Sequence, residues 1–124
     1  MFSKKQNQSF RSREEREFQL NDSDRVIFNS RGLIPVIIQH ATTNEVLHLG
    51  YLDRWALEIS LDKKVVFLFR RSTGHLVKMG KDTDHQIKSI YLDKSKRHLL
   101  FKVIPTTNEQ TASNFSRMIY HRNM

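Results

Sequence analysis

The chain contains no cysteine among its 124 residues. This absence excludes disulfide bonds, zinc sites built on thiolates and cysteine nucleophiles. Proline and glycine are also scarce, with two and four residues. No apolar run approaches the ~20 residues that a membrane-spanning helix requires, and residues 1–16 are charged where a secretory signal needs an apolar stretch. We therefore expect a soluble, cytoplasmic protein.

Positive charge is concentrated in the second half of the chain. Residues 1–62 carry eight Lys or Arg and nine Asp or Glu, whereas residues 63–124 carry thirteen and four. A basic surface attracts phosphate-bearing partners, either nucleotides or nucleic acid. Lysines that merely keep a small domain soluble would explain the same charge, so composition leaves both interpretations open.

A change in composition near residue 20 divides the chain into a predicted arm and a predicted domain. Residues 1–19 are polar, carry both signs of charge and have no apolar face wide enough to pack, which predicts a flexible N-terminal arm. Residues 20–124 form a single predicted domain, because 38% of the chain is hydrophobic and a core of ordinary size can be built.

The apolar pattern predicts an α+β fold, a mainly antiparallel β-sheet with one clear helix. The helix begins at the N-cap Asp53 and runs to about Leu61, with Trp55, Ile59 and Ala56 on its buried side. The ending, 104–124, is compatible with either a helix or a closing strand. β-branched and aromatic runs predict the strands: 25–28, 33–40, 46–51, 65–69, 87–92 and 98–103.

Several short motifs occur in a recognisable order between Arg25 and Arg122. They are GLIPV at 32–36, EVL at 45–47, GYLDRWAL at 50–57 and FRRST at 69–73. This order resembles the phosphoribosyl-AMP cyclohydrolase family of histidine biosynthesis, with its motifs G-L-I-P-A, E-V-L, A-Y-M-N-x-E-A-L and Y-S-R-S-R. The resemblance implies a cyclohydrolase-like fold, hydrolytic opening of a purine ring and a homodimer whose active site lies at the two-fold interface.

The metal-binding motifs of that family are the part this chain lacks. The family is understood to hold zinc on cysteines from two subunits and magnesium on an aspartate cluster, D-C-D-x-D. Here that loop reads DKSKR at 93–97, so Asp93 is the residual metal-loop position, and Ala112 and Ile119 fall where later cysteines stand. Lysine and arginine repel Mg²⁺. We therefore predict no zinc, no magnesium and no catalytic residues of the family's kind.

Two basic segments form the predicted ligand site. The first follows a core strand, where the family places phosphate-contacting groups, and arginine forks match phosphate oxygens bidentately. The second replaces the aspartate cluster with fixed positive charge, although a solvated lysine-rich hairpin tip would look the same. The predicted phosphate-binding residues are Arg70, Arg71, Ser72, Lys94, Lys96 and Arg97.

Other polar and aromatic groups give weaker signals. The six histidines show no metal-ligand spacing, and we interpret them as scattered residues, although His40 could face His48 across the first hairpin and His85 and His98 could lie on neighbouring strands. Asp82 and Asp84 beside His85 are interpreted as a polar loop. Four aromatic residues are expected to be core or half-buried strand residues rather than base-stacking platforms: Phe67, Phe69, Tyr91 and Phe101.

Three functions remain open at this point. The first is a catalytically degenerate cyclohydrolase homologue that keeps the dimer and binds a phosphorylated, nucleotide-like ligand or a protein partner. The second is a basic module that binds RNA or DNA through residues 63–102. The third is an enzyme with altered, metal-independent chemistry in the same cleft, for which the sequence identifies no nucleophile or base.

Overall fold

Eight β-strands and one α-helix lie within residues 16–107 and 113–117, the part of the chain that the computed structural model describes. The predicted α+β class, with one helix and mostly antiparallel sheets, is confirmed. In chain order the elements are β1 (Glu17–Gln19), β2 (Arg25–Ile27), β3 (Ile34–His40), β4 (Val46–Leu52), α1 (Arg54–Lys63), β5 (Phe67–Arg70), β6 (His75–Lys78), β7 (His85–Leu92) and β8 (Leu99–Pro105).

The central sheet has four strands in the order β4-β3-β8-β7. The β3–β4 and β7–β8 pairs are antiparallel hairpins, as the connectors predicted, and a parallel β3–β8 pair joins them, with Val36 opposite Leu99. Strands β1–β2 and β5–β6 form two further antiparallel pairs. The sequence did not predict β6, which is only four residues long and polar at both ends.

One face of the central sheet forms the core. Alternate residues of its strands point inward, and burying each such aliphatic or aromatic side chain contributes about 1.5–3 kcal/mol. The inward residues of β3 and β8 are all almost completely buried: Ile34, Val36, Ile38, Leu99, Phe101 and Val103.

Helix α1 begins as predicted, and its buried side agrees with the prediction at Ala56 but not at Trp55. The Asp53 side chain accepts a hydrogen bond of 2.7 Å from the Ala56 amide, which caps the helix. Ala56, Leu57 and Ser60 are buried, whereas Trp55 is 62% exposed. The prediction that Trp55 is buried is wrong, because the helix turns positions 56, 57 and 60, at helical spacing, toward the core. The described residues contain no helix that could cross a membrane.

The N-terminal segment is more structured than the sequence suggested. Glu17–Gln19, assigned above to the arm, form β1 and pair with β2, while residues 1–15 lie outside the described part of the chain. The Arg54 guanidinium lies 5.3 Å from the centre of the Phe18 ring and 5.4 Å from that of Phe28. These contacts fasten β1 and β2 to the start of α1.

The C-terminal prediction is tested only in part. Strand β8 extends to Pro105, and residues 113–117 run beside β4, where the Asn114 amide donates to the Leu47 carbonyl at 2.8 Å. Met118 and Ile119, on which the choice between helix and strand depended, lie outside the described residues, as does Ala112.

Candidate phosphate-binding site

Asp93 organises the loop between β7 and β8. Its Oδ1 accepts hydrogen bonds of 3.0 Å from the amides of Arg97 and His98. Its Oδ2 accepts one of 2.6 Å from the Ser95 hydroxyl and one of 2.7 Å from His98 Nδ1. The backbone closes the same loop, since the Lys96 amide donates to the Asp93 carbonyl at 3.0 Å. Both carboxylate oxygens are therefore occupied within the loop.

These hydrogen bonds set the charge state of Asp93. Partial burial alone raises the pKa of its carboxyl, but the bonds from Ser95, His98 and two backbone amides outweigh that effect and hold the pKa well below its usual range. The group is thus a carboxylate near neutral pH. Ser95 and His98 contact the same carboxylate oxygen, and their own separation is 3.5 Å. In a hydrolytic triad the imidazole stands between the hydroxyl and the acid, so this cluster does not activate Ser95.

The residues at the former metal loop do not fit a divalent metal ion. Zinc prefers thiolate or imidazole ligands and magnesium prefers several oxygens. The chain has no thiolate, the Asp93 oxygens are occupied by hydrogen-bond donors, and the flanking side chains are cationic. Within residues 16–107 and 113–117, no group of three or more His, Asp or Glu could hold a metal ion.

The loop presents its three cations from a fixed backbone. Lys96 adopts a left-handed conformation with φ 66°, and its carbonyl accepts a 2.8 Å hydrogen bond from the Ile27 amide of β2. Lys94 and Arg97 are exposed. Among the described residues, none of the three side chains forms a salt bridge. Their charges are available to a ligand.

The second basic segment is the turn between β5 and β6. Arg70 ends β5, and its carbonyl accepts a 2.8 Å hydrogen bond from the Gly74 amide, which closes the turn over Ser72. The Arg71 guanidinium lies 4.1 Å from the centre of the Tyr51 ring. This cation–π contact restricts the arginine, and a guanidinium held on an aromatic face can still donate hydrogen bonds to an anion.

The strand register brings both basic segments to one end of the central sheet. Tyr51, whose ring contacts the Arg71 guanidinium, lies opposite Pro35 near the start of β3. The next residue of β3, Val36, lies opposite Leu99, the first residue of β8 after the basic loop. We call this region the basic end; its members are the predicted phosphate-binding residues Arg70, Arg71, Ser72, Lys94, Lys96 and Arg97.

Sequence reasoning missed three residues that shape the basic end. Ser95 and His98 hold the Asp93 carboxylate, and Tyr51 holds Arg71. An aspartate followed two residues later by serine in a short loop between strands is a local signal for a side-chain-closed turn. The Tyr51–Arg71 contact joins distant parts of the sequence and has no local signal.

The five histidines within residues 16–107 do not form a cluster. His85, at the start of β7, and His98, just before β8, lie at opposite ends of the β7–β8 hairpin, and His48 lies opposite Ile38 rather than His40. The suggested facing of His40 and His48 is therefore wrong. His85 and His98 do belong to neighbouring strands, as suggested, but their separation along the hairpin agrees with the scattered interpretation. Burial lowers the pKa of both His48 and His85.

The remaining sequence signals divide between the core and the surface. Asp84 forms a 2.5 Å salt bridge with Lys78, as suits a polar loop. Phe101 is buried as predicted and Phe67 and Phe69 are half-buried, but Tyr91 is 51% exposed. Tyr91 lies on the outer face of the sheet, opposite Leu100, so it is not a core residue.

The α+β fold presents cations on the β7–β8 loop, which aligns with the aspartate cluster of the family that the sequence resembles. Comparison with known proteins agrees with this resemblance. No protein-family model matches the chain. Curated relatives do match, and they carry the name histidine biosynthesis bifunctional protein HisIE.

Three of these relatives illustrate the similarity. The Staphylococcus epidermidis protein is 40% identical over 84 residues, covering 66% of this chain and 40% of the relative. The Thermus thermophilus protein is 35% identical over 86 residues, 68% of this chain and 40% of the relative. The Thermoanaerobacter pseudethanolicus protein is 44% identical over 78 residues, 61% and 36% respectively. The chain thus matches about two fifths of the length of these curated relatives.

The chain belongs to the phosphoribosyl-AMP cyclohydrolase family, as a divergent member without the cysteine and aspartate metal ligands. The family assignment predicted from the motif order is confirmed.

Proposed function

We propose that this protein is a catalytically degenerate cyclohydrolase homologue that binds a phosphorylated, nucleotide-like ligand at the basic end. The observation that carries the proposal is the convergence of two basic segments at one end of the sheet, each fixed by its own contacts. Asp93 fixes the loop of Lys94, Lys96 and Arg97, and Tyr51 fixes Arg71.

The physical case rests on pre-organised charge. Charge-assisted hydrogen bonds from arginine or lysine to phosphate are roughly twice as strong as neutral ones. Ordering each long side chain on binding costs about 0.5–1.5 kcal/mol, and the Tyr51 contact has already ordered Arg71 in part. A phosphate placed between the two segments would be neutralised without a metal ion.

The proposed loss of catalysis is inferred from the side chains that could serve as metal ligands. Hydrolysis by this family's route needs a metal to lower the pKa of a bound water. The chain offers no thiolate, and its surviving carboxylate, Asp93, already accepts four hydrogen bonds within the loop. Turnover of phosphoribosyl-AMP by the purified protein, or stoichiometric bound zinc, would refute this part of the proposal.

A homodimer is the second element of the proposal, and the outer face of the central sheet supports it. The register aligns one apolar row across all four strands, from Leu49 through Ile37 and Leu100 to Tyr91. Leu49, Ile37 and Tyr91 are 47%, 40% and 51% exposed. An isologous contact between two such faces is the commonest way for a soluble domain to cover them.

The dimer has a direct test. We expect a dimeric mass in light scattering and a monomeric mass for Leu49→Glu, because the new carboxylate would be buried unpaired at the contact. A monomeric parent protein would contradict the dimer, and circular dichroism shows whether the variant remains folded.

A thermal-shift panel tests the ligand. A ligand that binds only the folded state at a hundred times its Kd stabilises the protein by about 2.7 kcal/mol. We expect AMP and ribose 5-phosphate to raise the melting temperature and adenosine to leave it unchanged. Arg71→Gln should reduce the shift, because a Kd ten times weaker lowers the stabilisation at the same ligand concentration to about 1.4 kcal/mol. Lys81→Gln, the same charge change in the loop before β7 and away from the basic end, should preserve it.

Two results would contradict ligand binding at the basic end. One is a panel in which no phosphorylated compound raises the melting temperature; the other is an equal loss in Arg71→Gln and Lys81→Gln. Binding of single-stranded RNA that falls steeply with salt, without any response to mononucleotides, would favour the nucleic-acid alternative instead.

A further inference from the structure

We propose that Trp55 is a stacking platform for the base of the nucleotide whose phosphate binds at the basic end, an inference that rests on the proposed function. Trp55 is the only tryptophan of the chain and the second residue of α1. Its side chain is 62% exposed, more than any other large hydrophobic residue of the described chain.

The packing of α1 on the core does not depend on the exposed Trp55 side chain. The side of α1 that packs on the core is formed by Ala56, Leu57 and Ser60, so the indole contributes little to the fold. Among the described residues, the Trp55 ring makes no aromatic stacking or cation–π contact. A planar ligand therefore has access to the ring.

Contacts of its sequence neighbours connect Trp55 to both halves of the basic end. Four residues before it, Tyr51 carries the Arg71 guanidinium at 4.1 Å. Immediately before it, Arg54 lies against the ring of Phe28. The neighbour of Phe28, Ile27, bonds the carbonyl of Lys96 in the β7–β8 loop. Trp55 thus follows, within one helical turn, residues that contact Arg71 directly and the β7–β8 loop through Phe28 and Ile27.

The combination selects a chemical class of ligand. Stacking on an aromatic face accepts any base, since each base has a π-face, and the surrounding cations require an anion. A nucleoside phosphate supplies both parts in one molecule. Inorganic phosphate or a sugar phosphate supplies the anion alone, and an acidic peptide lacks the planar base.

A single tryptophan makes the test direct, because all indole emission comes from Trp55. We expect AMP to quench this emission along the same binding curve that calorimetry gives. Ribose 5-phosphate should bind through the basic end, with lower affinity and little quenching. Removing the ring in Trp55→Ala should weaken AMP at least about fivefold, given the usual strength of base–aromatic stacking, and leave ribose 5-phosphate unchanged.

Two matched variants separate stacking from general damage. Trp55→Phe keeps a π-face and should retain most of the AMP affinity. Phe115→Ala removes another exposed aromatic ring, in the segment beside the start of β4 and away from the basic end, and should leave AMP affinity unchanged. Because Trp55 is exposed, its substitution should not alter the melting temperature of the free protein by more than about a degree or two.

The outcomes distinguish the two proposals. Equal affinity for AMP and ribose 5-phosphate, with no effect of Trp55→Ala, would overturn base stacking and leave phosphate binding intact. No binding of either compound would overturn both. Quenching by single-stranded RNA but not by AMP would overturn a mononucleotide as the ligand.

Discussion

Asp93→Asn should weaken phosphate binding even though it removes a negative charge from the basic end. On electrostatics alone, the change makes the site more positive by one unit and should tighten an anion. The structure predicts the opposite sign, because the carboxylate holds the loop that presents Lys94, Lys96 and Arg97. An asparagine oxygen can still accept from the two backbone amides, but its NH₂ group cannot accept from Ser95 or pair with His98.

The size of the effect follows from the bonds lost. A hydrogen bond to a charged group contributes about 1.5–3 kcal/mol when shielded, and an exposed ion pair contributes about 0–1 kcal/mol. Asp93 is 38% exposed and His98 is 58% exposed, so we expect a combined loss of about 1–2 kcal/mol in loop order. If the ordered loop is the binding state, phosphate affinity falls about 5- to 30-fold.

Calorimetric titration of AMP into the parent, Asp93→Asn and Asp62→Asn measures this difference. Asp62→Asn is the matched control, since it makes the same charge change on the exposed side of α1. We expect weaker binding only for Asp93→Asn. Unchanged or tighter binding in that variant would refute the role of Asp93 as the organiser of the loop.

Three further predictions concern stability. Gly80→Ala should lower the free energy of unfolding by at least about 2 kcal/mol, because φ is +87° and a Cβ would lie 2.4 Å from a backbone oxygen. Gly74→Ala, where a Cβ would meet open space, should lower it by about 1 kcal/mol. Denaturant unfolding of the two variants measures the difference. Burial lowers the pKa of His85, so the unfolded chain binds more protons than the folded chain below pH 6.5. As the pH is lowered through this range, the free energy of unfolding should fall by up to about 1.4 kcal/mol per pH unit. His85→Gln should reduce this slope, and substitution of the exposed His75 by Gln should not. Ser60→Ala should cost about 1–3 kcal/mol in the same assay, because its buried hydroxyl bonds both polar groups of one β5 residue.

Local chemistry made most of the fold predictable. β-branched runs bounded by turn residues gave the two hairpins of the central sheet, and the capping residue Asp53 marked the start of α1. The parallel pairing of β3 with β8 could not be predicted in this way, because more than fifty residues separate the partners and no local pattern specifies which strands meet.

The cations of the candidate site could be predicted from the sequence, but the contacts that hold them in place could not. Residue types identified the cations of the basic end, whereas the Tyr51–Arg71 contact and the three-way cluster at Asp93 depend on tertiary geometry. Trp55 was misassigned to the core because its apolar character was weighed without the direction of the helix. In the family motif A-Y-M-N-x-E-A-L the same position is a glutamate, which is a signal for an exposed side.

The central claim is that fixed cations, rather than a metal ion, bind a phosphate-bearing ligand at the basic end. Calorimetric titration of AMP in the presence of EDTA tests it most directly, with Arg71→Gln and Lys81→Gln alongside. We predict that EDTA leaves the Kd unchanged, that Arg71→Gln weakens binding about tenfold or more, and that Lys81→Gln does not. Loss of binding on metal removal, or full affinity in Arg71→Gln, would contradict the claim.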